Sequence, residues 1–334
     1  MITFILSSFI INCLFYIFFN KISNLLNIFD TPDSNRKLHK NKVACLGGIL
    51  FFINLILFLF YLILFPEFLE SYDNTFLDSN RQYFSFFIVS SLIFIIGLFD
   101  DKVNLSASHK SILLLIILIT SLADSSLSFK RLSFEFLNYD FSLGFFEGFF
   151  SVLAIFYFMN ALNMFDGINV QTPLYIILAS SFLIFKDQNI FIFAFIPGIF
   201  FLILNIRGKC FLGNSGSYFM GFLISLILIK VNQTSPSLLT TEEILILLSL
   251  PCLELFRLFI ERISKNQSPF FGDREHIHHY LSKKFTDLET SLLTNGFIFI
   301  PLVISQFLEF KIIIFIIQVI FYFITIYKLK KFFR

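Results

Sequence analysis

Eleven apolar runs follow one another along the chain, at about 2–20, 46–66, 83–99, 111–123, 143–161, 173–186, 189–205, 217–231, 244–262, 291–308 and 311–327. Several reach the roughly 20 residues an α-helix needs to cross a hydrocarbon core. In that solvent every backbone N–H and C=O must find its partner within the protein, which leaves helices and closed barrels. Runs of this length predict an all-α polytopic integral membrane protein with eleven transmembrane helices. Composition supports this, with 57% hydrophobic and 14% charged residues, far from a soluble domain. No nucleic-acid partner is expected; membrane lipids are. The first run lacks a basic flank on its N-terminal side and is followed by Lys21, so it reads as an uncleaved helix. Cysteines at 13, 45, 210 and 252 have no CxxC spacing and predict no disulfide framework. Residues 1–334 are expected to form one membrane-embedded domain. The longest polar stretch, about 264–290, has room for a short helix only.

The distribution of Lys and Arg among the loops sets the orientation. With the N-terminus outside, the inner segments hold Lys21, Arg36, Lys37, Lys40 and Lys42, then Lys102 and Lys110, then Arg207 and Lys209. They also hold Arg257, Arg262, Lys265, Arg274, Lys283 and Lys284, and finally Lys328, Lys330, Lys331 and Arg334. Only Arg81, Lys130, Arg131, Lys186, Lys230 and Lys311 fall outside. The C-terminus is thus expected on the cytoplasmic side of a plasma (inner) membrane. All five histidines, Asp100, Asp101 and Asp166 fall on that same side, although none was used to choose it.

Polar residues gather in five places. The third run stops at Asp100-Asp101, and one aspartate at a bilayer centre costs about 2.5–3.5 kcal/mol, so the pair belongs at a wet helix end. The first inner loop carries Arg36, Lys37 and His39 before Gly47-Gly48; such basic residues serve anionic headgroups as readily as a substrate. Asn160, Asn163 and Asp166 recur every three positions at the end of the fifth run, on one broad side of a helix. They suit Mg²⁺ or a sugar as oxygen donors, or simply cap the helix. Gly213-Asn214-Ser215-Gly216-Ser217 opens the eighth run beside Lys209 and can present backbone N–H groups to phosphate. Arg274-Glu275-His276-Ile277-His278-His279 closes the set. Zinc competes with phosphate there, but on a helix only His276 and His279 would share a face, and no cysteine or glutamate stands at ligand spacing.

Taken in order, these pieces resemble the polyprenyl-phosphate N-acetylhexosamine-1-phosphate transferases (glycosyltransferase family 4). The matching residues are Asp30-x-Pro32, Arg36-Lys37-x-His39 and Gly47-Gly48, then Gly97-Leu98-Phe99-Asp100-Asp101 with Lys110. Asn160-Ala161-x-Asn163-x-x-Asp166-Gly167-Ile168, Gly213-x-Ser215-Gly216-Ser217 and Asp273-Arg274-x-His276-Ile277-His278-His279 follow. The likeness covers about residues 25–285. The His-Ile-His-His form and the eleven-span topology resemble the branch that makes undecaprenyl-linked GlcNAc.

The resemblance implies transfer of a sugar 1-phosphate from a UDP-N-acetylhexosamine, by default UDP-GlcNAc, to undecaprenyl (polyprenyl) phosphate. UMP is released, cell-surface glycan such as O-antigen lipopolysaccharide is begun, Mg²⁺ (Mn²⁺ as the substitute) is needed, and a homodimer is compatible. It implies catalytic roles for Asp100, Asp101, Asp166, Arg274, His276, His278 and His279. Metal contacts would come from Asn163, Asp166 and Asn214. Substrate contacts would come from Arg36, Lys37, His39, Lys110, Asn160, Asn169, Lys209, Gly213, Ser215, Gly216 and Ser217. The chain departs from the family pattern at Asn214, where an aspartate is usual, at Asn169 and Val170, where Asp and Gly are common, and at Glu254, where Pro-x-x-Asp becomes Pro251-Cys252-Leu253-Glu254. Asn169 and Asn214 leave open a weakened relative that binds without turnover, and a transporter is the third class.

Overall fold

The computed structural model describes residues 2–32, 41–65, 80–121, 128–136, 139–186, 188, 191–233, 237–268 and 274–333. Its helices, in chain order, are α1 (Ile2–Ile17), α2 (Phe19–Leu26), α3 (Gly47–Leu64), α4 (Asn80–Val103), α5 (Ala107–Ser121), α6 (Glu147–Phe165) and α7 (Gln171–Phe185). They continue with α8 (Ile192–Ile206), α9 (Gly213–Asn232), α10 (Thr241–Ser264), α11 (Ile277–Leu281), α12 (Asp287–Ile304) and α13 (Lys311–Phe332). Among the described residues, six helices are long and apolar enough to cross a membrane: α3, α4, α6 (from Gly144), α9, α12 and α13. The bent pair α1–α2, with 72° between its halves, makes a seventh if it is one span. The shorter apolar helices are α5, α7 and α8. The 24-residue α10 is continuous but carries Glu254, Arg257, Glu261 and Arg262 in its second half. An all-α membrane protein is what these lengths and compositions describe.

Several helices begin about a turn before their apolar runs. Thr286 and Thr240 each form a capping box, with the glutamate three residues on (Glu289, Glu243) closing the reciprocal bond. A polar cap extends a helix beyond what hydropathy marks. Conversely α4 continues through Asp100 and Asp101 and stops where Asn104 turns left-handed, at φ +55°.

The chain divides into two compact units. The first comprises residues 1–121 and 172–223. Here α8 packs on α1 and α3, and α4 on α5, through phenylalanine contacts such as Phe52 stacked on Phe94 at 4.1 Å and Phe51 edge-on to Phe201 at 5.9 Å. Asn12, Asn54 and Ser8, all fully buried, bond one another across α1 and α3 at 2.7–3.2 Å. Polar side chains in a lipid-embedded helix are costly unless they meet such a partner. A small sheet also forms, with β1 (Phe29–Asp30) antiparallel to β2 (Val43–Cys45), Phe29 opposite Ala44. β2 runs parallel to β5 (Cys210–Phe211), Ala44 opposite Cys210. Strands of two or three residues carry no alternation to read, so sequence predicts none of them.

The second unit comprises residues 122–171 and 224–334, with α10 packed against α6, α12 and α13. A hairpin of β3 (Arg131–Phe134) and β4 (Tyr139–Ser142) precedes α6. On α13 the residues Ile313, Ile316, Ile317, Ile320, Phe321 and Ile324 are exposed, a contiguous apolar surface of the kind that faces lipid or a partner.

Candidate functional site

In the first unit the two adjacent aspartates meet different partners. Asp100, 2% exposed, accepts a 2.9 Å ion pair from Lys110 Nζ and a 2.9 Å bond from the Leu105 N–H. Lys110 also lies 5.8 Å from the centre of the Tyr218 ring. Asp101 turns to the start of α9. Its carboxylate accepts the N–H of Asn214 at 2.6 Å, the N–H of Ser215 at 3.0 Å and the Ser215 hydroxyl at 2.7 Å. A helix N-terminus is a ready anion site, and here the anion is the protein's own. The N–H groups of Asn214 and Ser215, read from sequence as phosphate donors, are therefore taken by Asp101.

This arrangement depends on missing side chains. A Cβ on Gly97 would stand 2.4 Å from Ser215 Cα, one on Gly48 2.4 Å from the Gly216 nitrogen, and one on Gly213 2.6 Å from Asp101 Oδ2. Gly213 also sits at φ +77°, open to glycine without strain. The backbones of α3, α4 and α9 thus touch where the carboxylates sit, and the β2–β5 pairing holds the loop ahead of α3 to the loop ahead of α9. Burial and the nearby Asp101 and Asp30 carboxylates push the Cys45 thiol well above its ordinary range, so it stays protonated; all four cysteines are free. Lys209 is exposed beside β5. Arg36, Lys37 and His39 lie outside the described residues.

In the second unit α6 ends at Phe165, with Asn160 and Asn163 in its last turns and Asp166 as its C-cap. Asn160 Nδ2 turns back to the Phe156 carbonyl at 2.8 Å. The His278 ring packs against Gly167, where a Cβ would fall 2.1 Å from Nε2. That Nε2 and Asn169 Oδ1 are buried atoms with no partner among the described residues.

The histidines differ from the helical expectation. His276 is not in α11 but caps it with an extended backbone, ψ 148°. Its ring therefore stacks on His278 at 5.1 Å and lies 5.8 Å from His279, while His278 and His279 are 4.4 Å apart. All three rings meet, rather than His276 and His279 alone. Burial, reinforced by the other two imidazoles, holds the His278 pKa well below its usual value, so this ring is neutral. Arg274 is exposed at the start of the same segment.

A buried ion pair fixes this segment; sequence marked its Glu254 as the variant of Pro-x-x-Asp but did not pair it with Arg257. Glu254 and Arg257, 3% and 4% exposed, pair at 3.0 Å. Glu254 also accepts the Ile277 N–H at 3.0 Å and the Tyr322 hydroxyl. Arg257 donates to Tyr322 at 2.8 Å, to Glu261 at 3.0 Å and to the Glu275 carbonyl at 2.7 Å. Glutamate and arginine three apart on an otherwise apolar helix were the available signal, because such charges are retained in membrane segments only when paired.

Among the described residues no group of three or more His, Cys, Asp or Glu is arranged to hold a metal ion. A hard divalent cation prefers oxygen donors. The Asn163 amide, the Asp166 carboxylate and the unpartnered Asn169 Oδ1 provide them at one helix end, which fits magnesium in kind. The Asp101 carboxylate, with three donors of its own, and Asp100, paired with lysine, fit less well.

Comparison with known proteins agrees with the motifs. Residues 83–232 match the model of glycosyl transferase family 4, a stretch that contains Asp100, Asp101, Lys110, Asn163, Asp166 and Gly213–Ser217. The undecaprenyl-phosphate alpha-N-acetylglucosaminyl 1-phosphate transferase of Escherichia coli (strain K12) is 25% identical over 304 residues, covering 86% of this chain and 78% of that protein. The protein of the same name from Salmonella typhi is 24% identical over the same shares. The probable undecaprenyl-phosphate N-acetylglucosaminyl 1-phosphate transferase of Bacillus subtilis (strain 168) is 26% identical over 272 residues, 78% of this chain and 71% of its own.

Proposed function

We propose that this chain, whose residues 83–232 match the model of glycosyl transferase family 4, transfers GlcNAc 1-phosphate from UDP-GlcNAc to undecaprenyl phosphate. A phosphate oxygen of the lipid forms a bond to the β-phosphorus of the nucleotide sugar, the bond from that phosphorus to the bridging oxygen breaks, and UMP leaves. The observation that carries the proposal is the survival of the family's polar segments as folded clusters, Asp100–Lys110 with Asp101–Ser215 in one unit and Asp166–Gly167 against His278 in the other.

The acceptor phosphate has a second pKa near ~6 and arrives largely ionised. Catalysis must therefore bring anions together and hold them in line, which is a matter of positioning and charge. Asn163 and Asp166, with the buried Asn169 Oδ1, would hold Mg²⁺, which screens the diphosphate when bound. Arg274, beside the histidines, offsets phosphate charge. His278, being neutral, orients by hydrogen bonding rather than by charge. Lys110, aimed by Asp100, and the basic Arg36, Lys37, His39 and Lys209 attract the anionic substrates. Asp101 sets the start of α9 and with it the placing of Gly213, Ser215, Gly216 and Ser217 at the substrate end. Asn160 is left for the sugar or its phosphate.

In this proposal α10, the three shorter apolar helices and the seven candidate spans make eleven crossings, N-terminus out, with the reaction on the cytoplasmic face of the plasma membrane. The test is release of UMP by purified protein given Mg²⁺, undecaprenyl phosphate and a panel of UDP-sugars. UDP-GlcNAc should give both UMP and a lipid-linked product, and chelation should stop both. No product with any sugar would leave only a binding role.

A further inference from the structure

Four non-glycine residues among those described have positive φ, and three of them are asparagines, Asn27, Asn104 and Asn266. Asparagine visits the left-handed region readily. The fourth is Val170, at φ +73° and 3% exposed. For a β-branched residue this conformation is a true outlier, and it persists only where the surroundings over-determine it.

Those surroundings are on α12. The Ser291 hydroxyl donates to the carbonyl of Asn169 at 3.0 Å, and Asn295 Nδ2 donates to the carbonyl of Gln171 at 3.1 Å. The two carbonyls flank Val170, one on each side. Ser291 and Asn295 stand four residues apart, on one face of the helix. They are tied together, since Asn295 Nδ2 also reaches the Ser291 carbonyl at 2.9 Å, and both are buried. Polar residues at these depths of an apolar helix are retained where they meet backbone or side-chain partners. What they grip is the continuation of Asp166-Gly167-Ile168-Asn169, whose Gly167 receives the His278 ring.

We propose that Ser291 and Asn295 are positioning residues that pin the backbone on both sides of Val170 and so hold the Asp166–Asn169 segment in its working shape. The proposal rests on the transferase reading for its kinetic consequence but not for its structural one. Released from the pins, Val170 relaxes out of the left-handed region and carries the segment with it. Glycine at 170 occupies that region freely and makes the pins dispensable.

Backbone amide exchange tests the structural half without substrate. Ser291→Ala, and separately Asn295→Ala, should speed exchange of the 166–171 amides by about tenfold or more while α10 keeps its protection. Adding Val170→Gly should bring turnover in either variant back toward wild type. Before that addition, kcat/KM for UDP-GlcNAc per folded protein should fall about ten- to a hundredfold, as for a misplaced reacting group, with KM for undecaprenyl phosphate nearly unchanged. Unchanged exchange at 166–171 in both variants overturns the proposal. So does a loss of turnover that Val170→Gly does not relieve. If the wild-type protein itself releases no UMP, the transferase reading fails and the exchange result alone decides the clamp.

Discussion

Removing either Glu254 or Arg257 leaves a charge stranded at 3–4% exposure, a change that typically costs about 3–5 kcal/mol. Glu254→Gln should accordingly lower the thermal midpoint of the detergent-solubilised protein by many degrees. Replacing both by leucine should recover much of that loss, because an apolar pair of similar volume avoids the desolvation cost. The Ile277 N–H would then lack its acceptor, so UMP release should stay low in a protein that folds. Equal recovery of stability and turnover would show that the pair does not set the histidine segment. His278 gives a pH prediction with a definite sign. Its native pKa is depressed, so below about 6.5 the unfolded chain takes up a proton that the native ring refuses. Stability present above that pH is lost as pH falls through it. The thermal midpoint of His278→Asn, measured from pH 8 to 5, should decline less steeply than that of wild type.

At the scale of elements, glycine contacts decide how close the helices come. Gly48→Ala or Gly97→Ala forces a Cβ to within 2.4 Å of the α9 backbone, and helix backbone cannot yield as a flexible side chain does. Each should cost on the order of 1–3 kcal/mol, the range for overpacking a tight core, and reduce turnover because α9 and Asp101 are displaced together. Gly148→Ala, with nothing within 4 Å of the added Cβ, should be neutral or raise stability by up to about 1 kcal/mol through helix propensity. Melting curves of the three variants compare the cases directly. The apolar runs are legible because hydrophobic length is a property of contiguous residues. Helix starts are legible only to within a turn, since Asp101 and the capping threonines lengthen helices by contacts that hydropathy ignores. The histidine cluster is visible as composition, but its geometry turns on His276 leaving the helix. Ser291 and Asn295 give no local signal, because their partners at Asn169 and Gln171 lie 122 and 124 residues away.

Across the whole molecule, the uneven distribution of Lys and Arg makes the orientation testable. A fluorescent protein that matures only in the cytoplasm, fused after position 334, should fluoresce, and a periplasmic-type alkaline phosphatase at the same place should be inactive. The reverse pattern would invert the proposed topology and put Asp100, Asp166 and the histidines on the side without UDP-sugars.

The Glu254–Tyr322 bond joins residues 68 positions apart, and this has a consequence for how the protein is made. While a ribosome is still inserting the chain, α10 can enter the bilayer well before α13 exists. Through that interval Glu254 and Arg257 have each other but not the phenol that completes them. The turn bearing His276 to His279 is therefore finished only after a later helix arrives. Truncation ahead of α13 should leave the histidine turn unfinished, with faster amide exchange at 276–279 than in the full chain.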